Sequence, residues 1–434
     1  MTELNRKSNK GVYLLLIIAT FFMYVTLTSA KNIYVAEKTT LEALGSFGSY
    51  TDLAATMEYY FYSYAATQII LIFFIKKVDV KWYLALTLGA SAILTCVMAF
   101  TGSITHHWII YIVNGVLQAG VWSCSMKTLA KYLPSELLPT GNKLMSSGPA
   151  VSGAVCYAVA ALFGDNWRAP FLLLGGVLLF AVVLFFVSVN EAAKLQRAVE
   201  THRAVQPCGS EADVSEEQGN DFIHLKNKKR IIVFYFASAI IAFIVTAVFF
   251  FLYNNLDLFL KQVGGFDNTT SKLVTIIAPI VIVAGPYVTV NACEKHKNFI
   301  FVGAVMFGVA TVFLILLTLL FKVNIILSLL LFVGFSIFAN GGRMIPLSIV
   351  PLRMRKSVDS GVYSAVANAA ASVASGVAPK LLAMIVDNAE RGTESNWSLS
   401  FIIATVACVG LVAILFALCL FIHTLNKKDE SAIA

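Results

Sequence analysis

Charge is scarce in this chain. Asp, Glu, Lys and Arg make up 13% of its 434 residues, against 58% hydrophobic residues and a mean hydropathy of +0.79, which excludes a water-soluble globular domain of this size. Cysteines are few and scattered. Six of the seven, Cys96, Cys124, Cys156, Cys293, Cys408 and Cys419, fall within apolar runs or, for Cys293, just past the end of one, at spacings that match neither a disulfide framework nor a zinc site. Also lacking are a Walker loop, a dinucleotide-binding glycine pattern, a zinc helix and a nucleophile elbow, since the isolated glycines sit inside apolar segments. The expectation is a protein that is not an enzyme and uses no cofactor or metal. A cleavable signal peptide is not expected either, because the first apolar run is too long and has no small-residue cleavage site before the next polar segment.

What the chain does have is long apolar runs. They cover residues 11–36, 57–75, 82–100, 108–130, 141–163, 171–189, 231–254, 273–291, 299–321, 325–350, 358–387 and 400–425, and about 20 such residues span a hydrocarbon core as a helix. Strands are excluded because the runs are too long and too uniformly apolar for the alternation of a barrel. The fold class is therefore an all-α membrane protein of twelve transmembrane helices. Most of the 32 basic residues, beginning with Arg6, Lys7, Lys10, Lys76, Lys77 and Lys81, fall on one side if the amino terminus is inside, which predicts cytoplasmic termini and a plasma-membrane, multi-pass location. That bias also accounts for the net charge of +8, so no nucleic-acid partner is expected.

The longest polar stretch divides the runs six from six. It holds Glu191, Lys194, Arg197, Glu211, Asp213, Glu216 and Glu217, and ends in Lys226, Lys228, Lys229 and Arg230, the composition of a flexible linker with a surface helix at its start. The expected organisation is a six-helix bundle over 1–189, a cytoplasmic linker over 190–230 and a second six-helix bundle over 231–434. The halves also repeat: Gly141 opens a small-residue run followed by Asn166-Trp167 and Phe171, and Gly361 opens another followed by Asn396-Trp397 and Phe401. A duplicated unit of this kind places a solute site at the interface of its copies, near mid-membrane.

Three segments carry a resemblance to a known family. Phe21-Phe22-x-Tyr24 followed by Lys31-Asn32, Gly115-x-x-Gln118-x-x-x-Trp122 followed by Lys127, and Tyr253-x-x-Leu256-Asp257 followed by Leu260-Lys261 are similar to the major facilitator superfamily, and within it to the organophosphate:phosphate antiporter branch. The resemblance implies the major facilitator fold, two pseudo-symmetric six-helix bundles, and exchange of anions by alternating access. The sequence departs from that branch at the phosphate clamp: Lys31 keeps one half, but Leu252 stands where the seventh span of the family carries Arg. The family's fifth-span His falls near Pro149, and its acidic signature between spans two and three is degenerate in residues 76–81.

Cations inside spans are expensive in lipid and tend to face a cavity, which makes Lys31, Lys127, Arg343 and Lys380 candidates. Lys31 and Lys380 lie at similar depth, with snorkelling to the outer interface as the alternative use. Arg343 sits in Asn340-Gly341-Gly342-Arg343-Met344-Ile345-Pro346, where glycines and a proline loosen the helix; its guanidinium suits a carboxylate or phosphate. Lys127 and Lys131 read as interfacial anchors. Asn114, Gln118 and Trp122 share one helix face, for contact with a solute or for helix-to-helix hydrogen bonds. Tyr60, Tyr64 and Gln68 form another face, beside the belt residues Tyr59 and Tyr62. Asn32 and Asn340 accompany the two preferred cations, and Asn254, Asn255 and Asp257 close span seven. The acids Glu37, Glu58, Asp257 and Glu294 are placed near span ends, which favours exchange or facilitated movement over obligatory proton coupling.

The expected function is transport of a small organic anion, a sugar phosphate, sugar acid or other carboxylate, bridged between Lys31 and Arg343 in a monomeric carrier. The alternatives are a non-transporting sensor on the same fold, and an exporter of lipophilic drug-like solutes, which needs an intramembrane acid.

Overall fold

A computed structural model describes residues 3–74, 79–134, 136–205, 228–296, 298–350, 360–387 and 392–433. Among the described residues every regular element is helical. The described helices make twelve passes, which puts the start of the first and the end of the last on one face, the terminal face. The first six passes are α1 (Glu3–Ala43), α2 (Tyr50–Phe74), α3 (Val80–Met98), α4 with α5 (Ile104–Gln118 and Val121–Tyr132), α6 (Leu138–Phe163) and α7 (Arg168–Val205). The second six are α8 with α9 (Lys228–Tyr253 and Leu256–Gln262), α10 with α11 and α12 (Asn268–Thr275, Ile277–Ile282 and Ala284–Lys295), α13 (Phe299–Leu320), α14 (Ile325–Met344) running into the π-helical turn α15 (Ile345–Ile349), α16 (Ser360–Val386) and α17 (Thr393–Ile433). Ten helical segments are long and apolar enough to cross a membrane, and Ser147–Phe163 is a shorter apolar stretch. The remaining pass, α2, is diluted by tyrosines and by Asp52 and Glu58.

The expected linker is helical over its first part, because α7 continues to Val205. The rest of it, up to residue 227, lies outside the described residues, as do Lys76 and Lys77.

Two of the broken passes have a local cause in proline. Pro279 and Pro286 cannot donate to the carbonyl four residues back and crowd it, and the eighth pass breaks at Ile276 and Val283. The carbonyl that Pro286 leaves free, that of Ile282, accepts instead from Asn340 Nδ2 of α14 at 3.5 Å. Past Arg343, Pro346 falls in the π-helical turn, the loosening expected from the Gly-Gly-Arg-Met-Ile-Pro sequence. Asp267 caps α10 through the amides of Thr269 and Thr270 at 3.0 and 3.1 Å. The Thr270 hydroxyl together with these amides holds its carboxyl below the ordinary aspartate value.

Each half builds its own apolar core. The sequence repeat becomes a shared packing device: Trp167 meets Phe171 at 6.1 Å and Phe47 at 5.3 Å, while Trp397 meets Phe401 at 5.8 Å and Phe259 at 5.1 Å. Within the first half, a Cβ on Gly115 would strike the Tyr60 carbonyl and the Ser63 hydroxyl, so α4 lies backbone-close on α2. The halves join where α2 packs on α16 and where α6 packs on α10 and α11.

Candidate functional site

Lys31 on α1 and Arg343 on α14 come one from each half and lie within electrostatic reach of one another. Helix α1 runs on to Ala43, twelve residues or about 18 Å beyond Lys31, so this lysine is deep within its helix and not at a snorkelling end. It is half-buried, with its ammonium 5.4 Å from the Phe61 ring centre and 5.7 Å from that of Tyr60. Arg343, also half-buried, leans over Phe249 and Phe250 at 5.1 and 5.2 Å. Its Nε and Nη2 donate to Asn340 Oδ1 at 3.2 and 2.9 Å, and Asn340 is itself tied to the Ile282 carbonyl. The proline break in the eighth pass thus helps to orient the arginine. The two cations are near enough to act on one another electrostatically, and Tyr24 and Tyr253 lie in the field of Arg343. Among the described residues neither cation has a carboxylate in contact, and no acceptor bonds the Lys31 ammonium.

Other expected site residues fall elsewhere. Tyr60 donates to Gln118 Oε1 at 2.8 Å, Gln118 Nε2 donates to Ser91 Oγ at 2.7 Å, and Ser91 Oγ donates to Asn114 Oδ1 at 2.8 Å. All four are buried, so Asn114 and Gln118 tie α4 to α2 and α3, the helix-to-helix use of those amides. Trp122 turns to the seam, half-buried and 5.1 Å from the Tyr24 ring. Tyr64 stacks on Tyr60 at 5.8 Å, and Gln68, Asn32 and Asn254 are half-buried on their helices. Lys127 and Lys131 are exposed.

Lys380, expected as a solute ligand, is paired with protein in this structure. Its ammonium is 2.6 Å from Glu58 Oε2, across the halves from α16 to α2, and Tyr62 donates to the other Glu58 oxygen at 2.6 Å. The charge is already satisfied by protein.

The acids keep their places near span ends, but three of them are buried. Glu37 and Asp257 are fully buried and Glu58 is 7% exposed, because α1 and the α8–α9 pass are longer than the apolar runs that mark them. Together with residues the sequence reading passed over, they form a polar seal between the halves at the face opposite the termini. Lys272 Nζ is 2.9 Å from Glu37 Oε2, with both side chains fully buried, and also donates to Thr40 at 2.9 Å. Lys38 donates to Asn255 Oδ1 at 3.2 Å over the Tyr50 ring, and Tyr50 donates to the same oxygen at 2.9 Å. Thr39 donates to Asp257 at 3.3 Å, and Asn268 bonds Asp165 and Thr40. The Thr51 amide donates to Asp387 at 2.7 Å. Lys38 and Lys272 escaped the sequence reading because they lie outside, or at the edge of, the apolar runs. Their signal was alternation with Glu37 and Asp257 at the ends of passes that must meet.

Comparison with known proteins adds the family. A family model described as Major Facilitator Superfamily matches residues 12–379. No curated protein matches the chain significantly. Among solved structures, a bacterial homologue of the human lysosomal transporter Spinster, in an inward-facing and occupied conformation, superposes with a TM-score of 0.68 at 13% identity, covering 96% of this chain and 97% of that one. The nucleoside transporter NupG gives 0.65 at 13% identity, covering 94% and 98%. A D-xylose–proton symporter gives 0.66 at 13% identity, covering 93% and 96%. At these identities the likeness is one of fold.

Proposed function

The chain belongs to the Major Facilitator Superfamily, and on that premise we propose that it carries a small organic anion across the plasma membrane by alternating access, with Lys31 and Arg343 as the two arms of the site. One observation carries the reading: these half-buried cations, one from each half, have no carboxylate in contact among the described residues, whereas Lys272 and Lys380 are both paired. Positive charge in a low-dielectric seam is costly unless compensated, and an anionic solute supplies the compensation. A charge-assisted bond to each arm is worth roughly 1.5–3 kcal/mol net.

The resemblance of the first, fourth and seventh spans to the organophosphate:phosphate branch supports an anion as solute and exchange as the mode. The seal described above represents the state closed at the face opposite the termini, and in this reading that face is the outer one, with both termini cytoplasmic and the carrier a monomer. Opening would separate Glu37 from Lys272 and Glu58 from Lys380 as the halves rock.

Uptake of labelled organic anions into proteoliposomes tests the proposal. Lys31→Ala and Arg343→Ala each abolish uptake at unchanged protein level; normal uptake in both removes the anion site. Saturable binding without accumulation in the unmodified protein identifies a sensor instead.

A further inference from the structure

We propose that the anion taken by this seam is an aromatic acid, a planar ring carrying a carboxylate, in preference to a polyhydroxylated sugar phosphate or sugar acid. The inference rests on the anion site proposed above and concerns what surrounds it. Both cations are flanked by rings: Lys31 by Phe61 and Tyr60, Arg343 by Phe249 and Phe250. Further rings adjoin these. Tyr24 meets Trp122 at 5.1 Å, Tyr253 stacks on Phe249 at 4.8 Å, and Phe61 faces Gly376 of the other half, where an added Cβ would come within 3.2 Å of its own. Tyr24, Phe61, Trp122, Phe250 and Tyr253 are half-buried, so part of each remains accessible.

The hydrogen-bonding groups that a sugar requires are largely committed elsewhere. Asn114, Gln118 and the Tyr60 hydroxyl are consumed in the buried chain through Ser91, and Asn340 is held by Arg343 and by the Ile282 carbonyl. Of the amides singled out in the sequence beside the two cations, Asn32 and Asn254 remain uncommitted among the described hydrogen bonds, with the hydroxyls of Tyr24 and Tyr253. A sugar brings several hydroxyls that must leave water together, and each one left unpaired lowers affinity roughly 5- to 150-fold. An aryl carboxylate brings one anionic head for the cations and a π face for the rings, and leaves no hydroxyl stranded.

The test uses the purified full-length protein in nanodiscs, with phenylacetate, indole-3-acetate, glucuronate, glucose 6-phosphate and neutral phenylacetamide as probes, read by calorimetry. The expected result is binding of both aryl acids at least tenfold tighter than glucuronate or glucose 6-phosphate, with no binding of phenylacetamide. Trp122→Leu should weaken phenylacetate about tenfold, and Phe250→Leu serves as the second variant if Trp122→Leu does not yield monodisperse protein. Glucuronate or glucose 6-phosphate binding as tightly as phenylacetate, in a manner lost in Lys31→Met, overturns the aromatic-acid assignment and leaves the anion site standing. Phenylacetate binding that is indifferent to both Lys31→Met and Arg343→Met overturns the anion site itself. Failure of both aryl acids to bind while a sugar anion does also refutes the aromatic assignment.

Discussion

Replacing Glu37 by Gln should open the face opposite the termini. Lys272 and Glu37 are both fully buried and 2.9 Å apart, and removing one member of such a pair strands the other at a cost of about 3–5 kcal/mol. The cost falls on the closed state alone, because a lysine on an opened face regains water. At 1.4 kcal/mol per decade, the ratio of open to closed molecules should rise roughly 100- to 4,000-fold. Thr40 at 2.9 Å and the more distant Gly164 carbonyl remain as acceptors for the ammonium, so the lower part of that range is expected. Spin labels at Leu44→Cys and Val323→Cys, exposed positions on the same face in opposite halves, would report the change by pulsed electron resonance in a background with the native cysteines replaced. The distance distribution should lengthen in Glu37→Gln and return toward that of the parent in Glu37→Gln with Lys272→Met. An unchanged distribution in a folded single variant would refute the idea that this pair is broken when the halves rock.

Two further outcomes concern the helix contacts beneath the site. Gln118→Leu leaves the Tyr60 hydroxyl and Ser91 without their shared partner, a loss of about 1–3 kcal/mol. It should lower the thermal unfolding midpoint in detergent while changing solute affinity less than Lys31→Met does; the reverse order would make Gln118 a solute ligand after all. Gly115→Ala drives a methyl into the Tyr60 carbonyl, a backbone atom unable to rotate away, and should sharply reduce the yield of monodisperse protein on size exclusion, whereas Gly89→Ala, with open space around it, should not.

The architecture was largely legible in the sequence because lipid imposes a length and a composition on every pass. The Asn-Trp repeat, Trp167 and Trp397, reappears as two matched aromatic clusters, and the glycines and proline around Arg343 do break α-helical winding. Legibility failed where helices run past their apolar runs. Glu37, Lys38 and Asp257 looked like loop-adjacent residues by hydropathy, yet α1 continues to Ala43 and α9 to Gln262, and all three are buried. Their solvent is the opposing half, which no window along the sequence can register. The pairing of Lys380 was hidden for a related reason: its partner Glu58 lies 322 residues away. The amides of α4 were readable as a polar face, but only the position of Ser91 on α3 decides that they serve other helices.

The distribution of charge over these two layers bears on how membrane voltage acts on the carrier. In the seal, Glu37 and Asp257 offset Lys38 and Lys272, so parting that layer shifts almost no net electrical load. The seam beneath holds two positive groups with no such balance. Carrying each elementary charge through the full field is worth about 2.3 kcal/mol per 100 mV, and a vacant seam takes both along when the protein reorients. Under the proposed anion carriage a doubly negative passenger would cancel that burden and a singly negative one halve it, so an inside-negative voltage would act most strongly on the empty carrier, opposing its outward and aiding its inward reorientation.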